Sequence, residues 1–166
     1  MDFSRHGLEV FGFTGFMRVA DLKKPGGCNV IPKQMGVYVV VRENAIAPTF
    51  LERSIAGHFK GKDPTLPVEE LRRNWVNGAC VVYIGKAGGP AEDSTLRSRL
   101  KQYMDFGCGR PVGHRGGRMI WQLADCDDLL VAWKLLEGIE PLDVEQELLE
   151  AFDAIYGKRP YANLRC

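Results

Sequence analysis

Val81-Val82-Tyr83-Ile84-Gly85-Lys86 follows the turn-prone Asn77-Gly78 and has the composition of a buried strand, with contiguous β-formers closed by a glycine. Gly85 stands where a strand bends or where its backbone lets another group come close. The run therefore ends by presenting a phenol and an ammonium at a sheet edge. Upstream, behind the Lys23-Lys24-Pro25-Gly26-Gly27 break and Pro32, Gly36-Val37-Tyr38-Val39-Val40-Val41 is a second strongly β-prone run and the first core strand.

Residues 42–78, between these strands, are far beyond hairpin length and are interrupted by Pro48, Pro64 and Pro67, so they must carry structure of their own. A helix is expected over 68–75, where Pro67 suits a helix start and acids precede arginines. Before it, residues 57–63 read as a loop whose Lys60 and Lys62 suit either a grip on a phosphate backbone or an ordinary exposed turn. Residues 8–22 mix apolar side chains with glycine and suggest a short strand or turn packed on the main body. Downstream, Asp93 or Ser94 can cap a helix in which Leu96, Leu100 and Tyr103 or Met104 recur at helical spacing. Arg99 borders that packed face, while Arg97 and Lys101 face solvent. Residues 118–123 fit a short helix or a strand. A clearer strand occupies 129–135, and the last helix opens at Glu140-Pro141, carries Leu148, Leu149, Phe152 and Ile155 or Tyr156 inward, and stops at Gly157.

With 166 residues and 45% apolar composition, the chain is expected to form one α+β domain over 1–166, with 1–35 as an N-terminal extension and 42–78 as an insertion. The net charge of +1 argues against a globally basic coat for nucleic acid. Charge is nevertheless uneven. Lys86, Arg97, Arg99, Lys101, Arg110, Arg115 and Arg118 face only Glu92, Asp93 and Asp105, whereas residues 125–150 are mainly acidic. That pattern fits a polyanion-binding face or two solvated surfaces of opposite sign. Five cysteines without a CxxC pair argue for reduced thiols, not a disulfide scaffold, and His114 beside Cys108 reads as a loop residue. No secretory leader and no run of membrane-spanning length are visible, so a cytoplasmic protein away from membranes is expected.

Gly36-Val37-Tyr38, Tyr83-Ile84-Gly85-Lys86, the Leu-x-x-Arg-Leu-x-x-Tyr pattern at 96–103, a glutamate-bearing last helix and Pro160-x-x-Asn163 resemble, in that order, the GIY-YIG nuclease superfamily. The resemblance spans residues 36–164. It implies a central three-stranded antiparallel sheet flanked by helices, with both motif tyrosines at one shallow site. Tyr38 and Tyr83 match those tyrosines, Arg99 the catalytic arginine and Asn163 the closing asparagine. Lys86 and Tyr103 resemble the extra lysine and tyrosine of the excision-repair incision subunit. Of Glu145, Glu147 and Glu150, the family pattern fits Glu145, which also precedes Leu148 and Leu149 by three and four residues on the packed face. The interval between the two tyrosines is much longer than the family's usual hairpin; such insertions fall in loops.

The implied function is metal-dependent endonucleolytic hydrolysis of nucleic acid, DNA foremost, in repair, restriction or defence. The alternative is a non-catalytic nucleic-acid-binding or regulatory module. In the first, Glu145 holds one Mg2+ (or Mn2+) and Arg99 braces the phosphate, helped by Tyr103. Tyr38, or else Tyr83, positions or deprotonates the water, provided that Lys86 or metal-bound water lowers a phenol from its ordinary value of about 10. Asn163 fixes geometry, and Lys60, Lys62, Lys101 and Arg115 are the expected nucleic-acid contacts.

Overall fold

The two tyrosine-bearing runs pair antiparallel in the computed structural model, which describes residues 1–114 and 116–164. Strand β2 (Gly36–Val41) sets Tyr38 opposite Gly85 and Val40 opposite Tyr83 of strand β3 (Val81–Ala87). On its other side β2 pairs antiparallel with β4 (Leu130–Leu135), Tyr38 opposite Trp133. Outside β4 lies β1 (Thr14–Arg18), giving an antiparallel sheet in the order β1-β4-β2-β3.

The sheet therefore has four strands where three were expected, and the N-terminal extension supplies the fourth. Its alternation is obscured by a register shift between Thr14 and Met17, with Gly15 at φ 95° and Phe16 at φ 50°. Glycine is needed there, because a Cβ at residue 15 would lie 2.5 Å from the Trp133 ring.

Every residue of β2 is buried, which explains an unbroken valine run instead of an alternating one. Val37, Val39 and Val41 face a layer formed by α1 (Arg5–Phe11) and α5 (Pro141–Tyr156), where they join Leu8, Leu148 and Phe152. Tyr38 and Val40 face the opposite layer with Leu22 of α2 (Val19–Leu22), Leu100 of α4 (Leu96–Gly107) and Trp121. The insertion carries α3 (Val68–Asn74), which starts behind Pro67 as expected.

Helix α4 is capped by Thr95, whose side chain accepts from the Ser98 amide while Ser98 returns the bond to the Thr95 amide. Ser94 is not the cap, because its hydroxyl accepts from the Gly88 amide and donates to Glu92. Residues Arg118–Gln122 form a 3-10 turn, settling the open choice between helix and strand. In α5 the buried stripe continues to half-buried Tyr156, while Ile155 is 52% exposed. Among the described residues no helix is long and apolar enough to cross a membrane.

Strand β3 lies at the edge of the sheet, and the chain covers that edge itself. The Ala162 amide donates to the Val82 carbonyl at 2.8 Å. Asn163 clamps Ile84 from both sides, Oδ1 accepting from its amide at 2.9 Å and Nδ2 donating to its carbonyl at 2.8 Å. Asn163→Ala is expected to cost about 1–3 kcal/mol, read as a lower urea midpoint at unchanged m-value. An unchanged midpoint would show that the clamp does not hold the edge.

Candidate active site

The end of β3 gathers side chains from both helical layers. Tyr38 and Tyr83 lie diagonally on one face of the sheet, their ring centroids 6.0 Å apart and edge-on. Gly85 makes this possible: a Cβ there would fall 2.6 Å from Tyr38 Cζ and 2.7 Å from its hydroxyl. The phenol rests on the glycine backbone.

Tyr103 of α4 adds a third ring, 5.7 Å from Tyr83 and 6.5 Å from Tyr38. Its side chain is wholly buried, and its hydroxyl donates to the Gly117 carbonyl at 2.6 Å. That commitment leaves no hydroxyl hydrogen for a phosphate, and with the side chain fully buried Tyr103 supports the site from beneath, contrary to the expectation that it orients the phosphate.

His114 stacks on Tyr103 at 4.2 Å with the rings 5° from parallel, and its Nε2 lies 3.4 Å from the Tyr38 hydroxyl. Burial, then the charge of Arg99, pushes its pKa down to about 3, so the imidazole is neutral at physiological pH. Reading it as a loop residue overlooked this. The available signal was its setting among Gly113, Gly116 and Gly117, each close enough to an aromatic ring or hydroxyl that a Cβ would press on it.

Tyr38 is 1% exposed, and burial followed by the charge of Tyr83 lifts its pKa well above the ordinary value. It is sealed from the solvent that would supply an attacking water. The preference for Tyr38 as the base is therefore corrected, and Tyr83, 7% exposed, is the outer phenol. Burial and then Glu145 push Tyr83 up to about 12, while the Tyr38 hydroxyl and Arg99 pull it back. Lys86 is not among the groups that most shift either phenol. Its Nζ instead meets Glu92 at 3.2 Å.

Arg99 donates from Nη1 to Gln102 at 3.3 Å, and its Nε is buried without a hydrogen-bond partner among the described residues. Glu145 is half-buried on α5, and Glu147 and Glu150 are exposed, in agreement with the helical-face choice. Burial raises the Glu145 carboxyl; Lys86, Arg99 and Arg159 offset this in part, and Glu92 adds to it. Its oxygens make no hydrogen bond or ion pair with any described residue. No group of three His, Cys, Asp or Glu suited to a metal occurs among the described residues, so any cation here would lean on one carboxylate.

The expected nucleic-acid contacts scatter. Lys101 is exposed on α4 and paired with Asp105 at 2.8 Å. Lys60 and Lys62 occupy an exposed turn in the insertion, and Arg115 lies outside the described residues. Asn163 lies at the strand edge, bonded to both backbone groups of Ile84. Compared with protein-family models, with curated proteins and with solved structures, the chain matches none.

Because the folded pKa of His114 lies far below its ordinary 6.5, the unfolded chain binds a proton that the folded one refuses. The resulting stability is present above that value and is lost as pH falls toward about 3, with a slope near about 1.4 kcal/mol per pH unit. His114→Gln is expected to flatten this acid limb in chemical denaturation series. Equal limbs in both proteins would refute the neutral, buried assignment.

Proposed function

We propose that the chain is a metal-dependent endonuclease of the GIY-YIG type, acting on nucleic-acid phosphodiester bonds and foremost on DNA, with an added edge strand and an insertion around that core. The observation that carries the reading is the meeting of Tyr83, Arg99 and Glu145 at one end of β3, with an Arg99 donor and a Glu145 carboxylate left without hydrogen-bond partners among the described residues. A structural ion pair would have joined the last two.

Glu145 fits a single hard cation, since its half-buried oxygens are open and its charge is disfavoured by burial. Bound there with water and phosphate oxygens, Mg2+ (or Mn2+) would supply Lewis-acid stabilisation of developing oxygen charge. Arg99, always charged, braces the nonbridging oxygens with its planar fork. Lys86, held by Glu92 near Glu145, adds positive charge beside the leaving oxygen. Tyr83 keeps its proton at neutral pH and orients the attacking water through its oxygen. Tyr38 and His114 behind it hold that phenol in place.

The alternative, a nucleic-acid-binding module without turnover, is favoured by one feature: phenols raised this far provide no ready base. Plasmid nicking separates the two. Wild type is expected to nick with Mg2+ and to stop in EDTA, with losses of about 100-fold or more in Arg99→Ala and Glu145→Gln. Tyr83→Phe should cost more than Tyr38→Phe. If duplex, single-stranded and branched DNA all survive Mg2+ and Mn2+, the nuclease reading fails and the binding module stands.

Glu145 also yields a stability test. Its folded pKa lies above the ordinary 4.5, so stability is lost as pH rises through that window. Glu145→Gln should melt at the same or a higher temperature than wild type at pH 7, with the gain vanishing near pH 4. A variant clearly less stable at pH 7 would show that the carboxylate serves the fold instead.

A further inference from the structure

We infer that the N-terminal extension helps to bind the substrate: the turn at Lys23 and Lys24, together with the outer face of α4, forms a cleft for backbone phosphates that continues the path of a nucleic-acid strand leaving Arg99. The inference rests on the reading of the substrate as nucleic acid and adds the course of the strand.

Two clefts adjoin along α4. One, of about 340 Å³, is bordered by Arg99, Ser98, Gln102 and Lys101. The other, of about 220 Å³, lies between α4 and the extension and is bordered by Lys23, Lys24, Arg97, Lys101 and Arg110. They share Lys101 and Asp105, so the path from the candidate catalytic arginine to the extension is continuous.

The charge along this path is not balanced locally. Lys23 meets Asp127 at 2.7 Å, Lys24 meets Asp21 at 2.8 Å, and Lys101 and Arg110 share Asp105 at 2.8 Å each. Arg97 donates to the Ile31 and Asn29 carbonyls at 2.7 Å each and meets no carboxylate among the described residues. With Arg99 and Glu92, which border the first cleft, six cations face four carboxylates along the path, a surplus of two on a chain whose total is +1. Asp21 and Asp127 are poor barriers to exchange: exposed ion pairs contribute about 0–1 kcal/mol, and a phosphate can replace a carboxylate without stranding a buried charge.

The cleft is also built. The two Arg97 bonds fasten residues 29–31 of the extension onto α4. Lys23 is held over the Trp121 ring at 4.8 Å. Asp105, bridging Lys101 and Arg110, holds two cations side by side at the junction of the clefts. Lys60 and Lys62 sit on a simpler frame: their turn is exposed, with Lys60 5.3 Å over the Phe59 ring and a His58–Asp63 contact of 3.7 Å closing it.

The test is equilibrium binding of fluorescent single-stranded and duplex oligonucleotides in EDTA, followed by anisotropy across a salt series. Lys24→Glu/Arg110→Glu should weaken binding at least tenfold and reduce the slope of log K against log salt by about two. Arg72→Glu/Arg73→Glu, on the exposed face of α3, changes the net charge equally and should bind within twofold of wild type, so a global charge effect is separated from a local one. Lys24→Ala/Arg110→Ala, expected to lose about threefold, replaces the first variant if circular dichroism shows that it does not fold. Wild-type affinity in the cleft variants would overturn the inference while leaving the nucleic-acid reading intact. So would displacement of the oligonucleotide by inorganic phosphate at constant ionic strength, which would mark a site for the free ion. A wild type that binds no oligonucleotide would overturn the nucleic-acid reading itself, and the inference with it.

Discussion

The contact on which the site depends is the Tyr38 ring lying on the backbone of Gly85. It requires β2 and β3 to pair in one register, and the burial of both faces of β2 enforces that register, since a slip of one residue would send valines where phenols belong. Tyr83, two residues before Gly85, is thereby carried to its place beside Tyr38. The packing of α4 then brings Tyr103 and Arg99 to one side of the strand, and α5 brings Glu145. A side chain at 85 would disturb all of these positions through one collision.

Much of this was legible in the sequence because it rests on local chemistry. The valine run of β2, Pro67 before α3, Pro141 at the start of α5 and Gly157 at its end all act through backbone preferences within a few residues. That Glu145 and not Glu147 or Glu150 lies toward the packed face follows from helical geometry, while its place in the site is what the resemblance implies. What escaped was set by distant partners. β1 was reduced to a short strand or turn because its bulge fits around Trp133, more than a hundred residues away. Thr95 displaced Ser94 as a cap because Ser94 was already engaged by Gly88 and Glu92. His114 looked like part of a loop because the glycines around it, the available local signal, do not say that its ring packs under Tyr38 and against Tyr103. Burial likewise decided between Tyr38 and Tyr83, and relative depth is not written in either motif.

Burial dominates the electrostatics of the candidate site. Burial lifts Glu145, Tyr83 and Tyr38 and depresses His114, so four titratable groups are held in their neutral forms or pressed toward them. Arg99 is the permanent charge among them. For a phosphate bound as proposed, such an arrangement would leave little mobile charge to reorganise, the condition under which fixed dipoles and cations are most effective. The same burial is costly to stability at Glu145, a conflict between rule and position that is common where function, not folding, selects the residue.

The Asn163 clamp has a consequence for how the molecule comes into being. Ile84 must wait for a partner 79 residues further along the chain, long after its own strand has left the ribosome. Until then the edge carrying Tyr83 is open, even after α5 with Glu145 has been made. The latch on Ile84 is therefore the last of these contacts to form, set only when the sheet and both flanking helices already exist.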